Sequence, residues 1–274
     1  MFSVIIKNHF KMCKNRWIIS EIVILISCIS FAFRDLNKQN IFGSDQLIDY
    51  VFSSLSNPFF IIFIIPILYV YIAGNFISSD YESGLITSYI IRAKSRVSYY
   101  ISILMLLAIV SILIVFIWTL NLIIVGMSCG MIINGNSTYY LLVAVKSVNM
   151  SWFTLVILQI SIIALGLISL GLIVNIASIF IKRVKPQFII LVILVYQAQE
   201  AYFANRYNVK YSLICQTMLD IHMEFVNFNP AVNGGISSSQ CVSVIYSYIM
   251  YIALILVFGG LGYIFFLRED ILKE

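Results

Sequence analysis

Residues 99–127, YYISILMLLAIVSILIVFIWTLNLIIVGM, contain no Asp, Glu, Lys, Arg or His. A surface helix of a soluble protein keeps one polar face, and this run has none. A hydrocarbon layer about 30 Å thick is crossed by about 20 helical residues. The run is long enough to cross with tilt or to project beyond the lipid. Its reading decides the fold, because it places the chain in a bilayer. The whole composition agrees. Of the 274 residues, 61% are hydrophobic and 11% charged, and the mean hydropathy is +1.00. A soluble domain has about 45–50% and about 25%.

Five further segments read the same way: 17–33, 59–77, 152–181, 188–204 and 242–267. The weakest is 188–204, where an aliphatic run gives way to Gln197-Ala-Gln199-Glu200. The expectation is an all-α integral membrane protein of six helices, forming one domain over residues 1–274. The basic leader is long, and the apolar run after it reaches Phe33 with no small-residue cleavage site, so the first span reads as uncleaved.

Orientation follows from the basic residues. With the N-terminus inside, the inner segments hold Lys7, Lys11, Lys14, Arg16, Arg92, Lys94, Arg96, Lys182, Arg183, Lys185, Arg268 and Lys273, twelve of the seventeen Lys and Arg. The outer segments hold Arg34, Lys38, Lys146, Arg206 and Lys210. This bias favours both termini inside. A net charge of +5 in such a chain records topology rather than a nucleic-acid partner.

The leader, residues 1–16, reads as an amphipathic helix in the inner interface. Phe2, Ile6, Phe10, Cys13 and Trp17 make one stripe, and Lys7, Lys11 and Lys14 face anionic headgroups. An ordinary basic tail is the plain alternative. Outside, residues 34–57 read as a polar connection carrying Asp35, Asp45 and Asp49, and 128–151 contain the turn signal NGNST. The longest outer region is 199–240, which includes NFNPAVNGG and reads as short helices or a segment dipping into the membrane.

One inner stretch breaks the pattern. Residues 75–100, NFISSDYESGLITSYIIRAKSRVSYY, place Asp80 and Glu82 ahead of Arg92, Lys94 and Arg96. Between them Leu85, Ile86, Tyr89, Ile90 and Ala93 share a helical face. Acids at the start and bases at the end suit the helix dipole, and Asp80 or Ser79 is placed to cap it. A plain connection needs only a few polar residues. A greasy stripe here implies docking onto another protein or the membrane surface.

An acid, then Glu82-x-Gly84-Leu85, an aliphatic run and Arg92-x-x-Ser95-Arg96 entering a long span resembles the second-to-third-span loop of type-2 ABC exporter permeases. The closest flavour is small permeases that export antimicrobial or toxic peptides, or protect producers from them. The resemblance implies a coupling helix within the loop at 80–97, seated in a cleft of a cytosolic ATPase. Asp80, Glu82, Gly84, Leu85, Ile86, Tyr89, Ile90, Arg92, Ser95 and Arg96 would form that contact. It also implies the N-terminal interfacial helix, an outer re-entrant segment before span six, and a second permease copy or a paralogue. ATP and Mg would be held by the partner ATPase. The expected location is a bacterial plasma membrane, with lipid around the spans and a peptide or lipid-like substrate.

The chain itself lacks GxxxxGK[ST] and HExxH. Gly126-Met-Ser-Cys-Gly130 has the GxSxG spacing but reads as an outer-edge glycine pair closing an apolar helical run, not as a strand-to-helix nucleophile turn. Neither ATP hydrolysis nor another catalysis is therefore expected of the chain, and no cofactor or metal. Of its two histidines, His9 reads as interfacial packing; His222 has Asp220 and Glu224 on either side, an incomplete ligand set. The five cysteines show no CxxC spacing. A Cys215–Cys241 disulfide and two plain thiols both stay open. Charges within spans are costly. Glu21 reads as a carboxylate paired with Arg16 or Lys14, or as a pathway residue. Gln197, Gln199 and Glu200 read as lining an exit vestibule. Asn75, Asn121, Gln159 and Asn175 read as interhelical hydrogen-bond formers.

The leading expectation is an export permease for a hydrophobic or amphipathic substrate. The alternatives are a non-transporting immunity or sensor protein that binds a peptide at its outer face, and a membrane enzyme acting on lipid or peptide.

Overall fold

A computed structural model describes residues 2–42, 46–93, 95–132, 152–180, 186–204, 206–222 and 243–268. Its regular elements are all helical, and six helices are long and apolar enough to cross a membrane. They cover Lys14–Arg34, Phe59–Glu82, Arg96–Ser128, Phe153–Ser178, Gln187–Ala204 and Val244–Phe266. NGNST, NFNPAVNGG, Lys94, Cys241, Glu224 and the 182–185 basic loop lie outside the described residues.

Helix α1 (Phe2–Met12) leads into α2 (Lys14–Phe42) with little interruption. Helical bonds from Cys13 N to His9 O, 2.9 Å, and Trp17 N to Cys13 O, 3.0 Å, bridge the join. The buried face of α1 is Ile5, His9 and Cys13. That face is rotated from the stripe expected through Phe2, Ile6 and Phe10, because a polar contact described below draws His9 inward. Phe10 and Trp17 stack at 5.8 Å and are only half-buried.

The polar connection expected at 34–57 is a correction. Helix α2 runs on to Phe42, and α3 (Leu47–Leu55) then packs on the third span. Leu47, Tyr50, Val51, Phe52 and Leu55 are buried, and so is Asp49. The segment is amphipathic, and Tyr50 donates to Cys28 O of span one at 2.8 Å.

The second span is jointed. A π turn at Phe59–Ile64 precedes α4 (Ile65–Ala73), and Ile65 N–H reaches back to Phe60 O. Pro66, near the start of α4, has no amide to give, and a widened turn relieves the ladder there. At Gly74–Asn75 the helix breaks, and α5 (Phe76–Glu82) follows. Helix α6 (Leu85–Ala93) and the long third span α7 (Arg96–Ser128) come next. The fourth span α8 (Trp152–Phe180) is central, packing on spans two and three and on the last. Gly171 lets it come against the ring and hydroxyl of Tyr69.

The fifth span is α9 (Pro186–Gln199) continued by a π turn at Glu200–Ala204. Short 3-10 turns occupy 206–211, 215–217 and 219–222. Residues Ser212 to Met218 are all buried, held by Gln159 Nε2 on Thr217 O and Leu55 O, both 3.1 Å. The sixth span α10 (Val244–Arg268) ends the described chain. Spans one, five and six expose most of their surface, whereas the second is largely covered. The protein core thus lies among spans two, three and four, and the outer apolar faces meet lipid or another chain.

Candidate functional site

Elements from distant parts of the chain converge at the end of the bundle that carries α1. Helix α5 stops at Ser83, and Gly84 follows with φ +66°. This left-handed conformation suits glycine, and it turns the chain into α6. Ser95 then caps α7, its Oγ accepting from Ser98 N at 3.1 Å. Two short helices at an angle therefore form an elbow between spans two and three.

The single amphipathic helix expected between Glu82 and Arg96 is thus corrected. It begins at Leu85, after the glycine turn, and no acid occupies its first turn. Asp80 and Ser79 do not cap it, because both lie inside α5. The apolar face is as expected: Ile86 and Tyr89 are buried, Leu85 and Ile90 half-buried. The opposite surface exposes Glu82, Ser83, Gly84, Ser88, Ile91 and Ser95. Ile91 is 75% exposed. Arg96 is half-buried, and the side chain of Arg92 lies outside the described set.

Asp80 is the least expected residue of the site. Its side chain has 0% exposure. Tyr99 donates its phenol to Asp80 Oδ2 at 2.6 Å, and His9 Nε2 stands 3.2 Å from the same oxygen. As an acceptor, Oδ2 pairs with the His9 tautomer that carries its proton on Nε2. Oδ1 accepts nothing among the described residues. Aromatic rings close the cluster: His9 lies 4.9 Å from Phe76, Tyr89 stacks on Tyr99 at 6.2 Å, and Tyr99 on Phe266 at 5.4 Å. His9 is therefore a buried hydrogen-bond partner of Asp80, correcting its reading as interfacial packing.

The break at Gly74–Asn75 is equally well furnished. Asn175 of α8 donates to Ala73 O at 3.0 Å and accepts from Ile77 N at 3.4 Å. Arg16 donates to Asn75 Oδ1 at 2.6 Å and to Tyr71 O at 3.3 Å. Backbone freed inside a membrane protein must find partners, and these two side chains supply them. Cys13 lies between, its Sγ 3.7 Å from Ile72 O. Burial pushes the Cys13 thiol above its ordinary range; Arg16 pulls it down and Asp80 raises it further.

Glu21 is engaged differently from the expectation. It accepts from Asn121 Nδ2 of the third span at 2.8 Å, while Arg16 is turned to the break at Gly74–Asn75. The shape of span one decides this, since Glu21 and Asn121 face each other across two packed helices. All four uncharged amides make contacts between segments, Asn75 through Arg16. Gln199 and Glu200 are exposed and Gln197 is half-buried, with fully buried Ala198 among them. They lie on the outward side of this single chain. His222 bonds Gln216 O at 2.9 Å. Among the described residues no three His, Cys, Asp or Glu side chains gather as a metal site would require.

Six apolar helices make this a multi-pass membrane protein by length and composition. No protein-family model, curated protein or solved structure matches the chain.

Proposed function

We propose that the chain is the membrane-spanning subunit of an ATP-driven exporter of the type-2 ABC class. Its N- and C-termini face the cytosol of a bacterial cell, and the elbow docks on a separate ATPase. The observation that supports this reading is the elbow itself. It has a buried inner face, a hinge at Gly74–Asn75, and an exposed edge of Glu82, Gly84, Ser88 and Ile91. A connection with no partner would need neither the second helix nor exposed Ile91.

The chemistry divides between chains. This one has no Gly-rich phosphate loop, so ATP and Mg belong to the partner. Closure of two ATPases pushes the elbow, and the hinge passes that displacement to the bundle. Two permease copies, or this chain and a paralogue, then rock to alternate access to the cavity between them. Gln199 and Glu200 sit on an exposed side of span five, where a second copy would enclose them. An apolar wall with scattered amides suits a greasy peptide, toxin or antimicrobial, or a lipid-like cargo.

Co-expression with its ATPase tests the reading. The variant Glu82→Ala with Gly84→Pro should insert normally and lose the ATPase on purification. Full ATPase recovery with the double variant would overturn the coupling assignment.

A further inference from the structure

His9, Cys13 and Arg16 stand at helical spacings of four and three, so they share one face at the α1–α2 join. All three aim polar atoms at a single short stretch of the chain. Arg16 reaches Tyr71 O and Asn75, Cys13 reaches Ile72 O, and His9 reaches Asp80. That stretch runs from just before the hinge to the root of the elbow. The contacts bracket the hinge, Arg16 on its near side and His9 beyond it. An interfacial helix that merely lay on lipid would present an apolar face to its neighbours. Here directional bonds in a buried setting fix the rotation and register of one element against the other.

The pairing at the far end is the most demanding of these contacts. Asp80 is completely buried in a chain with few charges. Removing one partner of such a pair leaves a buried polar group without compensation, whereas removing both relieves it. The same carboxylate oxygen also holds Tyr99 at the start of span three, and the Tyr99 ring rests on Phe266 of span six. Span one is otherwise the loosely covered first helix of the bundle.

We propose that His9 is a positioning residue: with Cys13 and Arg16 it clamps span one onto the hinge and elbow, so that displacement of the elbow turns span one with it. The role in transport rests on the permease reading above. The clamp itself does not.

Cys13 is a built-in reporter. Its alkylation by N-ethylmaleimide is followed in native membranes by peptide mass spectrometry, with half-exposed Cys129 as the reactive control and fully buried Cys28 as the folding control. In the native chain Cys13 should stay protected. His9→Leu should speed its alkylation at least about tenfold while Cys28 stays protected. The reciprocal pair His9→Asp with Asp80→His should restore protection. Should His9→Leu also expose Cys28, the milder His9→Gln is read in its place. A Cys13 rate within about twofold of the native chain in the folded variant would overturn the clamp.

The second arm uses the complex with its ATPase and a reporter cysteine at exposed Ile29 of span one. Trapping with ATP and vanadate should change labelling at position 29, and His9→Leu should abolish that change while the ATPase still co-purifies. A change that survives in His9→Leu would overturn the positioning role and leave the permease reading standing. If no ATPase binds even the native chain, the permease reading fails, and the Cys13 arm still decides whether the clamp exists.

Discussion

His9 and Asp80 lie 71 positions apart in the sequence and 3.2 Å apart in the fold. The contact joins the leader helix to the end of the second span, and it forms among the rings of Phe76, Tyr89 and Tyr99. A polar bond of this kind contributes little to net stability but is costly to leave half-made. It follows that the two residues specify where α1 sits more than they strengthen the bundle.

Tyr99→Phe should destabilise the detergent-solubilised protein by about 1–3 kcal/mol, the range for a buried polar group that loses a partner. The ring stays, so stacking on Phe266 and Tyr89 is retained. Thermal unfolding followed by tryptophan fluorescence reads the effect. A melting temperature equal to the native one would mean that the phenol is not bonded to Asp80.

Gly84 should tolerate asparagine better than alanine. A Cβ there meets nothing within 4 Å, so the cost is one of backbone conformation alone, about 1–2 kcal/mol for a residue that dislikes positive φ. Asparagine visits that region more readily. Comparing the melting temperatures of Gly84→Asn and Gly84→Ala orders the two; the reverse order would contradict the left-handed turn.

Asn175→Leu removes the two bonds that α8 gives the broken backbone of span two. Ala73 O and Ile77 N then lose their bonds to it, at about 1–3 kcal/mol for each buried group left unmade. Hydrogen exchange at residues 74–78 should quicken by tenfold or more, with the third span unchanged. Unaltered exchange there would show that the hinge is satisfied by other means.

The Cys13 thiol, raised by burial and by Asp80, should remain protonated through the neutral range. Its alkylation at pH 7.5 should be slower than that of Cys129. The sign for stability follows from the same shift. The native state favours the protonated thiol, so this contribution is complete below the ordinary thiol range and fades as pH rises through the raised native value. A stability profile measured from pH 7 to 10 should fall for the native chain more than for Cys13→Ser.

Span existence was legible because a bilayer demands about 20 apolar residues and leaves few other ways to use them. The elbow was legible in outline from Leu85, Ile86, Tyr89 and Ile90. Its start was not, since i, i+4 spacing runs smoothly through Gly84 and gives no hint of a positive φ. Local sequence makes Asp80 a cap, because caps are local, whereas its partners His9 and Tyr99 are distant. The one usable signal was that an acid ending an apolar span needs a proton donor, and His9 is one of only two histidines. The rotation of α1 has the same cause: periodicity ranks Phe10 above His9, and a long-range hydrogen bond to Asp80 reverses the order. For the interhelical amides, the rule that buried amides must bond sufficed, although the partner of Glu21 depended on helix packing that spacing does not encode.

Photo-crosslinking from position 91 tests the account's central claim most directly. A benzoylphenylalanine at exposed Ile91, in cells that co-express the chain and the P-loop ATPase proposed to drive it, should trap that ATPase, while the same probe at buried Ile86 should not. An Ile91 probe that reacts only with lipid, or that is reached by a membrane-impermeant reagent added outside intact cells, would contradict it.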